Sequence, residues 1–314
     1  MAFNALLERM LLSRDESQVE GLMRFFKTGP GQYGEGDKFL GIKVPVTRAV
    51  VKECWKDVSF GNLEECLLIP YHEVRLAGLL CLVEIFSNAG KSRPSGCAAV
   101  DSVWQAGSGK VDGKADGKAG MNDDIWLKLQ RRCVDFYLAH TDRINNWDLV
   151  DLSCYSLLGE WLLDKDRTLL YDLARNGRSI WEKRIGIVST MAFVRRGELS
   201  DTYAISDLLL SQNAPTYVSY SGASAAESVF SASGASAAVP CSGASAAVSS
   251  SVGSASLHDL LQKAVGWLLR EAGKKDEASL RKFLDKRASI MPRTMLRYAI
   301  EKFSPEMRAH YLQK

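Results

Sequence analysis

Trp147 and Asp151, four residues apart in NNWDLVDLSCYSLLGEWLL, share a helical stripe that runs on into Cys154 and Leu158. That places a carboxylate in line with a buried face, where leaving it unpaired is costly. In SIWEKRIGIVSTMAFV, Arg184 interrupts the apolar row of Ile180, Ile187, Val188 and Met191, so a permanent cation also sits at the edge of a core. A third segment, LLQKAVGWLLREAGKK, sets Trp267 between Lys263 and Arg270, with Lys274 one turn further along. Taken together, a carboxylate flanked by two indoles with arginines nearby suits a cationic, sugar-centred transition state attached to a phosphate backbone. Breaking an N-glycosidic bond creates such a state: a carboxylate stabilises the oxocarbenium-like sugar or orients water, and aromatic faces favour its charge.

Each residue also has a plainer reading. Asp148 and Asp151 follow the possible caps Asn145 and Asn146, where the helix macrodipole favours acids, although Asp151 lies farther along the helix than that role asks. Trp147 and Trp267 suit core packing, as do Trp55, Trp126, Trp161 and Trp181. Arg184 has two acids with which to form a structural ion pair, Glu182 and Asp151.

The elements that must position these groups are helical. Apolar residues recur at three and four in YHEVRLAGLLCLVEIF, DDIWLKLQRRCVDFYLAH, SLHDLLQKAVGWLLREAG and PRTMLRYAIEKF, and strand-like alternation is scarce. Amphipathic helices joined by short turns favour an all-α fold, either a bundle or an α-solenoid of degenerate repeats. Two low-complexity stretches interrupt the pattern and read as flexible inserts within a single domain spanning residues 1–314. The first, about 92–123, contains GSGKVDGKADGKAG; the second, about 212–256, carries SGASAA three times, from Ser221, Ser233 and Ser242. No Ser or Thr follows Lys110, so GSGK is not a phosphate loop.

With 314 residues, 46% of them hydrophobic, the chain can bury a sizeable core. Glu8 and Arg9 interrupt the N-terminal apolar run, and no stretch of about 18 uncharged apolar residues occurs, so neither secretion nor a membrane span is expected. The seven cysteines are scattered and never spaced as CxxC, which fits a reducing, intracellular compartment, cytoplasmic or nuclear. The four histidines, His72, His140, His258 and His310, show no metal-ligand spacing, so neither metal nor cofactor is expected. Net charge is only +3, but Leu257 to Lys314 holds 13 Lys and Arg against 7 Asp and Glu, making the C-terminal quarter the basic part.

The segments FLGIKVPVTRAVVKE, NNWDLVD, IWEKRIGIV, KAVGWLLRE and PRTMLRYAIEKF, in this order from about Met23 to Phe303, resemble the AlkD-type DNA alkylation repair glycosylases. That resemblance implies an α-solenoid of stacked antiparallel HEAT-like helix pairs whose concave basic face holds duplex DNA. It implies hydrolytic removal of cationic N3- and N7-alkylated purines, such as 3-methyladenine and 7-methylguanine, without swinging the base into a protein pocket. Asp151 would be the catalytic carboxylate, Trp147 and Trp267 the indoles against the deoxyribose, and Arg184 the active-site arginine near the backbone. Lys263, Arg270, Arg293 and Arg297 are expected to contact DNA phosphates, on charge and helical face as much as on family pattern. Phe25, in MRFFK, stands where the family would place an aromatic hydroxyl, on the lesion side of the cleft, and the loop GPGQYGEGDKFLG with Tyr33 is longer than the family pattern. A monomer is the simplest state for a groove that holds duplex DNA. The competing readings are a HEAT-like DNA-binding module without chemistry and a protein-interaction scaffold, because fold does not fix function.

Overall fold

The structure, a computed structural model, describes residues 4–89, 118–212 and 257–313. Among these residues there is no strand, only an isolated bridge between Lys38 and Tyr71. The N-terminal half is built from α1 (Ala5–Leu12), α2 (Glu16–Phe25), α3 (Val44–Cys54), α4 (Phe60–Leu68), α5 (His72–Asn88) and α6 (Lys118–Ala139). Local chemistry sets their ends. Asn4 and Asp15 cap α1 and α2 through their side chains, Pro45 sits in the first turn of α3, and Ser59 with Asn62 forms a reciprocal capping box on α4. Helix α5 is buried on nearly every side, including His72, Glu73 and Arg75, and α1, α3, α4 and α6 pack around it.

The second half contains α7 (Trp147–Asp151), a π-helical turn (Tyr155–Gly159), α8 (Thr168–Asn176), α9 (Ile180–Val188), α10 (Met191–Arg195) and α11 (Ser200–Ser211). After the second insert come α12 (Asp259–Lys275), α13 (Glu277–Arg287), α14 (Arg293–Ala299) and α15 (Pro305–Gln313). Neighbours joined by a few residues and packed together, such as α4 with α5 and α8 with α9, run antiparallel. Helix α9 touches α7, α8, α11 and α12, so successive pairs stack in the order of an α-solenoid.

Two sequence boundaries shift. Residues 118–123, read as the end of the first insert, are helical in α6; residues 92–117 and 213–256 lie outside the described residues. The segment after Trp147 is broken rather than continuous. Ser153 turns its hydroxyl back onto the Leu149 carbonyl, competing with the helical ladder, and the chain resumes as the π turn. That turn lets Gly159 lie against α9's end: a Cβ there would stand 2.4 Å from the Ser189 carbonyl oxygen. Cys154 and Leu158 are fully buried, as the stripe predicts.

Candidate active site

Asp151 ends the short helix α7, and its mounting is a buried polar network. Asn146 caps the helix by accepting the Trp147 amide at 2.8 Å. Beside it, Asp148 accepts from His72 Nε2 at 2.8 Å, and His72 Nδ1 pairs with Asp37 at 3.2 Å. Arg75 donates to Asp37 at 2.6 Å and to the side chain of Asn145. Burial alone would lower the His72 pKa; the hydrogen bonds and charges of Asp148 and Asp37 outweigh it and push it up to about 9. For Asp37 burial acts upward, and His72 and Arg75 overcome it to hold the carboxyl below its usual range. The network therefore ties α7, α5 and the loop before α3 together as charged groups.

The same loop is fixed by Glu73, which is buried and accepts the amides of Leu40, Gly41 and Ile42 at 3.0, 2.9 and 3.1 Å. Gly41 is required there: its φ is +85°, and a Cβ would stand 1.8 Å from the Asp15 carbonyl oxygen. The motif FLGI thus makes a backbone cradle for a carboxylate. Its rings continue the construction. Phe39 and Phe26 flank the His72 imidazole at centroid distances of 4.8 and 4.6 Å, and Phe26 stacks on Trp147 at 5.5 Å. Phe25 meets Trp147 edge-on at 5.9 Å and is 62% exposed, so it forms an open wall beside the indole.

Arg184, on α9, grips Asp151 with two parallel hydrogen bonds, Nε to Oδ1 at 2.8 Å and an Nη to Oδ2 at 2.7 Å. Its other Nη donates to the Leu260 carbonyl in the first turn of α12. Asp151's side chain is 15% exposed and Arg184's 7%. Burial pushes the Asp151 carboxyl above the ordinary carboxylate range, with the Arg184 guanidinium pulling against it. Of the two acids open to Arg184 in sequence, Glu182 is otherwise engaged, accepting from Arg178 at 2.7 Å and Thr141 at 2.8 Å. A cavity of about 440 Å³ opens beside the carboxylate, walled by Leu22, Phe25, Ile42, Pro45, Trp147 and Leu152. Its predominantly apolar walls suit a ring or an alkyl group next to a carboxylate.

Trp147, Asp151, Arg184 and Phe25 thus come together around this cavity or its rim. Lys263 lies one turn beyond Leu260 on α12, paired with Asp259 at 2.7 Å. The remaining positions are placed differently. Trp267 lines a second cavity of about 500 Å³ with Met191, Val194, Arg195, Glu271 and Lys274. Arg270 is held between Glu271, at 3.2 Å, and Glu301, which leaves its guanidinium compensated on both sides. Arg293 is exposed and donates to the Leu312 carbonyl at 2.6 Å, while Arg297 is exposed on α14. Sequence reasoning missed His72, Asp37, Arg75 and Glu73. The available signal was the density of polar residues in NNWDLVD and YHEVR, more than helix ends require.

Among the described residues no helix is long and apolar enough to cross a membrane, and no group of three or more His, Cys, Asp and Glu is placed to hold a metal ion. The fold and this site are those of a helical-repeat protein with a carboxylate and indole centre. The family model for DNA alkylation repair enzymes matches residues 6–108, 116–216 and 249–303, and the chain belongs to that family. A solved structure described as a predicted DNA alkylation repair enzyme from Enterococcus faecalis is similar over 93% of this chain and 98% of its own, at 10% identity and a TM-score of 0.45. A search of curated proteins gave no match.

Proposed function

We propose that the protein is a monofunctional DNA glycosylase that hydrolyses the N-glycosidic bond of cationic N3- and N7-alkylated purines in duplex DNA. The observation that carries this reading is the Asp151 carboxylate, oriented by two hydrogen bonds from Arg184 at the edge of an apolar cavity that Trp147 walls. As the bond breaks, its electron pair passes to the purine, cancels the base's positive charge and leaves an oxocarbenium-like sugar. Asp151 stabilises that charge and the Trp147 face adds to it; water then closes on the anomeric carbon and gives up a proton. A normal purine lacks the cationic leaving group and reacts poorly.

The Arg184 partnership favours holding Asp151 as an anion in fixed geometry, the state such a role requires. Trp267 and the exposed Arg293 and Arg297 belong to the DNA-facing surface in this reading, with the lesion remaining in the duplex. The enzyme works as an intracellular monomer without metal. The test is release of 7-methylguanine and 3-methyladenine from methylated duplex by wild type and Asp151→Asn. Release by the wild type alone supports the assignment. No release by either folded protein favours the second reading, a DNA-binding module in which the Asp151 and Arg184 pair is structural, as its burial equally allows.

A further inference from the structure

The two indoles line different cavities, and those cavities share no lining residue: Trp147 stands with Asp151, and Trp267 with Arg195, Glu271, Lys274 and Lys275. Trp267 lies seven residues beyond Leu260, whose carbonyl Arg184 binds, which is about 10 Å of rise along α12. That exceeds the spacing of successive bases in a duplex, about 3.4 Å. The link between the cavities is the π turn. Its first residue, Tyr155, follows Asp151 by four; α10 packs on that turn, and α12 packs on α10.

Arg195 ends α10 with its guanidinium over the Tyr155 ring, 4.5 Å from the centroid. Stacking occupies the face of the guanidinium and leaves its in-plane N–H donors at the edge. The neighbouring Arg196 is spent on Glu160, at 3.1 and 3.0 Å, whereas among the described residues no acid pairs with Arg195 or Lys275. Glu271, the acid of the cavity, already accepts from Lys274 at 2.7 Å and from Arg270 at 3.2 Å. What remains is an apolar wall of Trp267, Met191 and Val194, rimmed by two exposed cations without counter-charge. The volume is about 500 Å³.

We propose that this cavity is a second sugar–phosphate subsite that grips the DNA backbone away from the lesion, with Arg195 as its phosphate contact and Tyr155 as the residue that positions it. The deoxyribose lies on the indole, Met191 and Val194. The stacked guanidinium offers two parallel donors to the phosphate oxygens, and Lys275 adds a point charge. An acidic protein surface would use the cations and leave the indole and its apolar neighbours without a partner. This placement differs from the one the family resemblance implies, in which both indoles face a single deoxyribose. The proposal rests on the DNA reading above, and its test separates the two.

The experiment uses duplexes with a tetrahydrofuran abasic-site analogue to set the register and one neutral methylphosphonate moved linkage by linkage, with affinity read by fluorescence anisotropy. Arg195→Gln, whose fold a melting temperature checks, is expected to weaken binding about tenfold, the scale of a hydrogen bond to a charged group. It should also lower the slope of log affinity against log salt by about one. A methylphosphonate at one linkage, beyond those next to the analogue, should weaken the wild type similarly and Arg195→Gln no further. Tyr155→Leu should lose affinity coupled to that same linkage, and Tyr155→Phe, which keeps the ring under the guanidinium, should restore it. An unchanged salt slope in Arg195→Gln overturns the subsite, and so does a loss to which every methylphosphonate adds in full. Coupling at a linkage next to the analogue overturns it too, returning the Trp267 cavity to the lesion nucleotide. Tyr155→Leu binding as the wild type does removes the positioning role. A wild type that binds polyglutamate as tightly as duplex, with Arg195→Gln weakening only the polyglutamate complex, assigns the surface to an acidic protein instead. A wild type that releases no 7-methylguanine defeats the glycosylase reading, while the salt slopes on duplex still decide the subsite.

Discussion

Arg184 and Asp151 meet through two parallel hydrogen bonds across 33 residues of sequence, and the same guanidinium reaches the Leu260 carbonyl. One buried cation therefore fixes three elements, α7, α9 and α12, around one carboxylate. Arg184→Lys replaces the planar fork with a point charge and loses this geometry. We expect excision to fall at least about 100-fold, and Arg184→Ala to lose about 3 kcal/mol of stability because it leaves a buried carboxylate unpaired. Denaturant melts beside single-turnover rates check both; an Arg184→Lys enzyme as fast as wild type contradicts the assignment.

Acid should inactivate the enzyme earlier than an ordinary carboxylate would allow. Burial raises the Asp151 pKa above its usual value, so excision falls as pH drops through a point above about 4. The stability sign is opposite to that of a salt-bridged acid with a depressed pKa: protonating a group whose folded pKa is raised adds stability as pH falls. A pH profile of single-turnover excision measures the limb, and a midpoint at or below the ordinary value counts against the raised pKa.

His72 makes a contribution of the other kind. Its pKa is raised to about 9 from 6.5, so its stabilisation is complete below 6.5 and is lost as pH rises through about 9. His72→Gln is expected to cost about 3 kcal/mol at neutral pH, as removal of one partner from a buried ionic cluster does. It should also flatten the fall in melting temperature between those pH values. An unchanged alkaline fall in the variant would show that another group titrates there.

Gly266, next to Trp267, is a packing requirement. A Cβ there would stand 2.5 Å from the Met295 carbonyl oxygen and 2.6 Å from the Tyr298 Cβ, where α12 and α14 cross. Gly266→Ala is therefore expected to push α14 outward and to destabilise by about 1 to 3 kcal/mol despite alanine's better helix propensity. A thermal melt at or above that of the wild type is the contrary outcome.

Salt dependence separates two basic residues that look alike in sequence. Lys263→Ala should reduce the slope of log affinity against log salt by about one, whereas Arg270→Ala, whose charge Glu271 and Glu301 already compensate, should leave it nearly unchanged. Anisotropy titrations at several salt concentrations give both slopes. Equal loss for the two variants would return Arg270 to the phosphate contacts.

Periodicity in the sequence marked the longer helical segments, because spacing of three and four is a local property that each segment carries alone, but it did not show the break after Asp151. It also set Trp147 and Asp151 on one stripe, since four residues along a helix bring side chains to one face. Which acid Arg184 would choose was undecidable from sequence: Glu182 and Asp151 both lay within plausible reach, and the outcome depended on how α7 docks against α9. The folded chain likewise decided that Arg270 is compensated by Glu301, 31 residues away, and that Tyr33 reaches Trp181 across the site. His72, Asp37 and Asp148 form one network only because α5, α7 and the loop before α3 converge. Helix formation is governed by neighbours in sequence, whereas partnership among buried charges is governed by neighbours in space, and only tertiary packing supplies those.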